Sequence, residues 1–265
     1  MTSVTTPGTR PAPGPRWRAA SHRWGLPAAG VASVLVLWWF GGSATRYVPP
    51  IGEVAAELPA FLGESDTWLA VAATTQRVVW SLAVALVLGT AAAYVMRRDG
   101  FWSRVIASLT SFAIAVPSTV AALLALYLFR RDPLGVYAVV TFICAPFVAT
   151  MLRQGMRELD GRVGEMSDVY GVTGLARARH VVLPQLVPYL LSATRNEYAH
   201  AWKVVVLAEL FIVNSGMGYE FSQAFDRFQL TEVLLWLLVF VAILLVGEYL
   251  VFRTIERYVL SWRVL

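Results

Sequence analysis

"EMSDVYGVTGLARARHVVLP", residues 165–184, is a polar, arginine-bearing stretch set between apolar segments and closed by Leu183-Pro184. Taken alone it fits three readings: a nucleic-acid-reading helix–turn–helix, a solvated loop, or a knob that docks a second protein. Val163, Met166, Val169 and Tyr170 recur at spacings of three and four, an apolar stripe on a first helix that Asp160 is placed to cap. Gly171 suits a left-handed helix stop, a conformation that costs a side chain more than it costs glycine. Thr173 is placed to cap a second short helix, with Leu175, Ala178 and Val182 on one side. Pro184 lacks an amide proton and belongs in the first turn of the helix that follows.

Composition decides the surroundings. Of 265 residues, 57% are hydrophobic and 15% charged, against about 25% charged in an ordinary soluble domain. That deficit points to a bilayer. The net charge of +5 invites a nucleic-acid partner, which the placement of the charges must test. The lone cysteine, Cys144, rules out a disulfide within the chain. His22, His180 and His200 stand at no metal-ligand spacing, so no metal site is read. There is no P-loop, GxSxG or dinucleotide fingerprint. Neither a bound cofactor nor catalysis is expected of this chain.

Residues 1–24 are rich in Pro, Thr, Ser and Arg without apolar periodicity, and read as a disordered cytoplasmic tail. Apolar runs follow, judged against the roughly 20 residues that cross a hydrocarbon core. The first, about 25–40, is short and has an Arg-bearing flank, so a cleaved signal peptide is its rival reading. Pro49-Pro50 lead into an amphipathic helix carrying Val54, Leu58, Phe61 and Leu62. Further spans read as 68–96, 105–129, 134–156, 186–213 and 231–252, with a second external piece at 214–229. With odd spans running outward, fifteen arginines fall inside, and only Arg46, Arg130, Arg131 and Arg227 outside. Cytoplasmic loops retain Lys and Arg, so both termini and the quoted stretch are assigned to the cytoplasm of a multi-pass plasma-membrane protein. The positive charge is thereby topogenic. A DNA-reading helix tethered to the bilayer at both ends lacks the freedom to enter a major groove.

The register Glu165, Met166, Ser167, three residues, Gly171, nine residues, Val181, one residue, Leu183-Pro184 resembles the "EAA" loop of ABC-importer permeases. Met166 and Ser167 stand where that pattern has alanines. Arg195, Trp202, Glu209 and the turn Asn214–Tyr219 are similar to the nitrate/sulfonate/taurine branch, as are Tyr47-Val48-Pro49-Pro50 and Pro117. The resemblance covers about residues 45–255. It implies an all-α, type I ABC importer-like membrane domain over 25–265, with about six transmembrane helices and an ATPase-coupling loop near 158–184. It also implies the partners: two copies of an ATP-binding subunit that uses ATP and Mg, a second permease copy, and an extracytoplasmic solute-binding protein.

Ionisable residues within a span mark pathways by default. The fifth span places Arg195, Trp202 and Glu209 seven apart on one face, with His200 and Lys203 beside it near mid-depth. These five are candidates for a translocation pathway; snorkelling of Arg195 and a buried structural pair for Glu209 are the plainer accounts. A mid-depth cation favours an anionic cargo. The small residues from Gly89 to Ala93 read as helix packing, and Pro117 and Pro146 as kinks. Trp38, Trp39, Trp68, Trp102 and Tyr249 lie near span ends and fit interfacial anchoring. The rival class, a self-sufficient secondary transporter or channel, calls for inverted repeats and broken-helix pairs, which the sequence does not display.

Overall fold

The structure, a computed structural model, describes residues 16–44, 48–159 and 161–259. Expectations resting on residues 1–15, Arg46, Tyr47, Asp160 and Arg263 lie outside them. The chain divides into two compact units, Met1–Ala56 and Glu57–Leu265, a division later than the expected boundary near residue 24. Helix α1 (Arg16–Ala44) starts inside the stretch expected as tail and runs through the first expected span. Close to its end, the Trp38 indole donates to the Pro49 carbonyl at 3.0 Å. Helix α2 (Ile51–Gly63) is the amphipathic helix expected after the proline pair. Val54 and Phe61 are buried and Leu58 half-buried, whereas Leu62 turns outward.

The second unit is organised around three helices: α3 (Ser65–Met96), α6 (Leu134–Arg157) and α9 (Leu183–Ile212). Helix α3 buries Val78, Leu82, Ala85, Gly89 and Ala93, a stripe of period three to four. Gly89 is where α3 touches α6, since a Cβ there would sit 2.6 Å from the Val148 Cβ. Ala93, Val148 and Leu152 form a small core that Tyr189 and Leu190 of α9 complete. Of the small-residue run, only Gly89 and Ala93 are buried, one turn apart; Thr90 and Ala91 face out.

All-helical architecture holds throughout the described residues; continuity of the spans does not. Among the described residues, only Ser65–Met96, Leu134–Arg157 and Leu230–Tyr258 are long, continuous and apolar enough to cross a membrane. Ala32–Ala44 is a shorter apolar helix. The expected third span is two helices, α4 (Phe101–Ala115) and α5 (Ser118–Phe129), bent by 97°. Pro117 causes the break: the residue before a proline is pushed out of the helical region, and Val116 is extended at φ −74°, ψ 121°. Pro146, by contrast, stays inside α6. The expected external piece at 214–229 contains a helix, α10 (Met217–Asp226), bent 56° from α9 and packed on α3, α9 and α11 (Leu230–Val246). The described residues therefore hold two broken-helix pairs, of which the sequence marked only the kink at Pro117. Between α6 and α9 stand α7 (Gly161–Val169) and α8 (Gly174–Arg177), and α12 (Arg253–Val259) ends the described chain.

Candidate functional site

The quoted stretch is a helical hairpin whose turn is set by Gly171 at φ +67°. The Val172 amide donates to the Ser167 carbonyl at 2.9 Å and the Gly171 amide to Asp168 at 3.1 Å. This pairing is a Schellman stop, and it satisfies carbonyls that the end of α7 would otherwise orphan. Thr173 occupies the cap position of α8, but its side chain makes no capping bond. Arg177 instead braces the hairpin through an ion pair with Asp168 at 2.5 Å, and buried Ser167 donates to Gly164 at 2.7 Å. Glu165, Met166, Val169, Tyr170 and Leu175 are exposed and Val163 is half-buried, so most of the apolar stripe is left open among the described residues. Val181 and Pro184 are half-buried and Leu183 is exposed. The hairpin meets α9 through a π-helical turn, Ala178–Val182. This wider turn ends two residues before Pro184, which cannot donate an amide.

Glu209 is fully buried and forms the centre of a second cluster. Its Oε1 lies 2.6 Å from the Arg77 guanidinium on α3. Thr74 donates to it at 2.9 Å, and the Gly218 amide of α10 does so at the same distance. Arg77 also donates to the Ser215 carbonyl and hydroxyl. Gly216, at φ +99°, caps α10 there, and a Cβ on it would fall 2.4 Å from the Glu209 carboxylate. The α9–α10 joint is thus built around an ion pair. Trp202 is equally buried, edge-on to Tyr198 and Phe240. Neither Trp202 nor Glu209 faces open space.

Arg195 joins a third cluster. It donates to Glu248, through two nitrogens, and to Glu256 at 3.1 Å. The acids lie on the π-helical turn Gly247–Phe252 and on α12, so Arg195 ties α9 to the helical segment 247–259. His200 pairs with buried Glu197 at 3.1 Å and lies edge-on to Phe147. Lys203 is exposed, at the rim of a cavity of about 280 Å³ walled by Val206, Leu210, Met217, Trp236 and Phe240.

Of the five pathway candidates, then, Lys203 borders a cavity, His200 is partly open, and Arg195, Trp202 and Glu209 are engaged in packing. The residues missed were Arg77, Thr74, Glu197, Glu248 and Glu256. The available signal was Arg77 itself: a lone arginine in one span calls for an acid in another.

Apolar helices locked by internal charge networks, with an exposed hairpin hung between two of them, define a polytopic helical membrane protein. The chain belongs to the family described as binding-protein-dependent transport system inner membrane component, which matches residues 85–261. It is 30% identical over 108 residues to an Escherichia coli (strain K12) protein named as the aliphatic sulfonates transport permease protein SsuC, covering 41% of each chain. A Bacillus subtilis (strain 168) protein of the same name is 29% identical over 109 residues, or 41% of this chain and 39% of that one. The matched stretch spans about two fifths of the length of these curated relatives. A solved chain of the MetNI methionine ABC transporter, in inward-facing conformations, superposes with a TM-score of 0.60 at 19% identity, covering 73% of this chain and 94% of that one.

Proposed function

We propose that the chain is the membrane-spanning subunit of an ATP-driven ABC importer that passes a small organic anion of the sulfonate kind. The observation that carries this reading is the braced hairpin α7–α8, whose exposed stripe of Met166, Val169, Tyr170 and Leu175 is shaped as a knob for another protein. In this reading residues 158–184 dock into an ATPase subunit, which hydrolyses ATP with Mg. Rigid attachment of the hairpin to α9 passes the ATPase movement into the spans, and ATP binding favours one of two permease conformations. Two permease copies pair, two ATPases bind on the cytoplasmic side with both chain termini, and an external binding protein delivers the cargo. Lys203, with His200, lines the pathway and offers a cation to the cargo. The sulfonate assignment draws on the names of the E. coli and B. subtilis relatives. The two broken-helix pairs are equally at home in a secondary transporter, so the test must read coupling to an ATPase.

Gly171 has open space around it, so Gly171→Val adds no clash and acts through backbone strain alone, about 1–3 kcal/mol. Gly171→Asn keeps the left-handed stop at lower cost. The expected result is normal insertion of both variants, with ATPase capture and vesicle uptake lost in Gly171→Val and largely retained in Gly171→Asn. Glu165→Ala is expected to be milder than Gly171→Val. Normal ATPase capture and uptake in Gly171→Val and Glu165→Ala alike would reduce the hairpin to a loop.

A further inference from the structure

One polar cluster belongs neither to the hairpin nor to the arginine networks. Cys144 of α6 meets Glu197 and His200 of α9, and their sulfur, oxygen and nitrogen atoms all lie within 4.8 Å of one another. Cys144 and Glu197 are buried, while a third of the His200 side chain is open. We propose that these three side chains form a binding site for one divalent cation of the zinc class. The site shares His200 with the pathway proposed above, and its test reads ion binding alone, with neither cargo nor ATPase present.

The donor set selects the ion. Thiolate, imidazole and carboxylate are all accepted by zinc, whereas magnesium and calcium take oxygen ligands. Zinc bond lengths of about 2.3 Å to sulfur and 2.0–2.2 Å to nitrogen and oxygen place tetrahedral ligand atoms about 3.4–3.6 Å apart. The Glu197–His200 separation of 3.1 Å is already close to that. The sulfur lies within 4.8 Å of both other ligand atoms, so reaching the ion takes an approach of up to about 1.4 Å. The exposed third of His200 gives solvent a route to the cluster, and water would complete the four-coordinate shell. On binding, the Cys144 thiol proton leaves to solvent. The thiolate and the Glu197 carboxylate then offset the two positive charges of the ion, which suits a low-dielectric interior. The occupied site joins α6 to α9.

Cys144 is the only cysteine in the chain, so a sulfur-to-cadmium charge-transfer band in the ultraviolet reports on this site alone. The experiment titrates cadmium into the purified full-length chain in nanodiscs, followed by displacement with zinc. The expected result is a saturable band at one ion per chain, reversed by zinc and abolished in Cys144→Ser. Glu197→Gln and His200→Gln keep the thiol and should each weaken cadmium binding by about tenfold or more, since even indirect supporting groups contribute about 10–100-fold. Absence of a saturable band in the unmodified chain would overturn the site. So would equal affinity in the Glu197→Gln and His200→Gln variants, which would leave a thiol binding by itself.

Discussion

The pair Arg77–Glu209 offers the sharpest test of how the second unit is held together. Arg77→Met keeps length and apolar bulk but removes the guanidinium at 2.6 Å from a carboxylate that is fully buried. Glu209 keeps its bonds from Thr74 and Gly218, yet its charge is left without a counter-charge. Removing one partner of a buried pair costs about 3–5 kcal/mol, while replacing both with apolar groups is far cheaper. Glu209→Met should cost a similar amount, because it leaves the Arg77 cation buried. The double variant should therefore lose less than either single one, with a coupling of at least about 3 kcal/mol. For a chain of this size each kcal/mol corresponds to about 2–4 °C, so each single variant should lower the unfolding midpoint by roughly 6–20 °C. The assay is thermal unfolding of the detergent-purified chain, followed by tryptophan fluorescence and by size-exclusion recovery. Additive losses in the double variant would refute the idea that the two charges stabilise one another, and would leave the α9–α10 joint to packing alone.

Lys203→Met removes the cation at the rim of the α9–α11 cavity without loss of apolar bulk; uptake of an alkanesulfonate should fall while ATPase capture persists. Unchanged uptake kinetics would make Lys203 a structural group. For topology, reporter fusions at residues 60 and 222 should read external and one at residue 172 cytoplasmic; a cytoplasmic signal at 222 would overturn the assigned orientation.

Local conformation was legible because it follows from single residues. Gly171 takes the left-handed angle its place in the pattern calls for. Pro184 sits in the first turn of α9, where a missing amide is harmless. Pro117 was read as a kink and is a 97° break; a proline marks the position of a bend, but its angle depends on what the two halves pack against. The sequence pointed to six spans, whereas the described residues hold three continuous ones, two bent pairs and the shorter apolar helix Ala32–Ala44; at Pro117 hydropathy sums over a break without registering it. The helix α10 was missed for a related reason: its polar residues suggested a loop, and only its packing on α3 and α9 buries Met217, Gly218 and Ala224.

By itself the sequence determined which segments are apolar helix, where the hairpin turns, and that charges lie inside spans. These follow from properties of residues close together in the chain: side-chain polarity, spacing, and the backbone freedom of glycine and proline. Partner choice was decided only by the tertiary structure. Arg77 finds Glu209, Arg195 finds Glu248 and Glu256, and Cys144 meets Glu197 and His200, each pair on different helices. In water, hydropathy helps to say which face of a helix turns inward. In a bilayer it does not, because lipid tails are as apolar as leucine. Val87 and Leu88 on α3 are exposed, while Ala85 and Gly89 beside them are buried. The small residues mark the contact face, since close helix approach rewards the absence of side-chain volume, and that approach is what brings the distant charges within reach of one another.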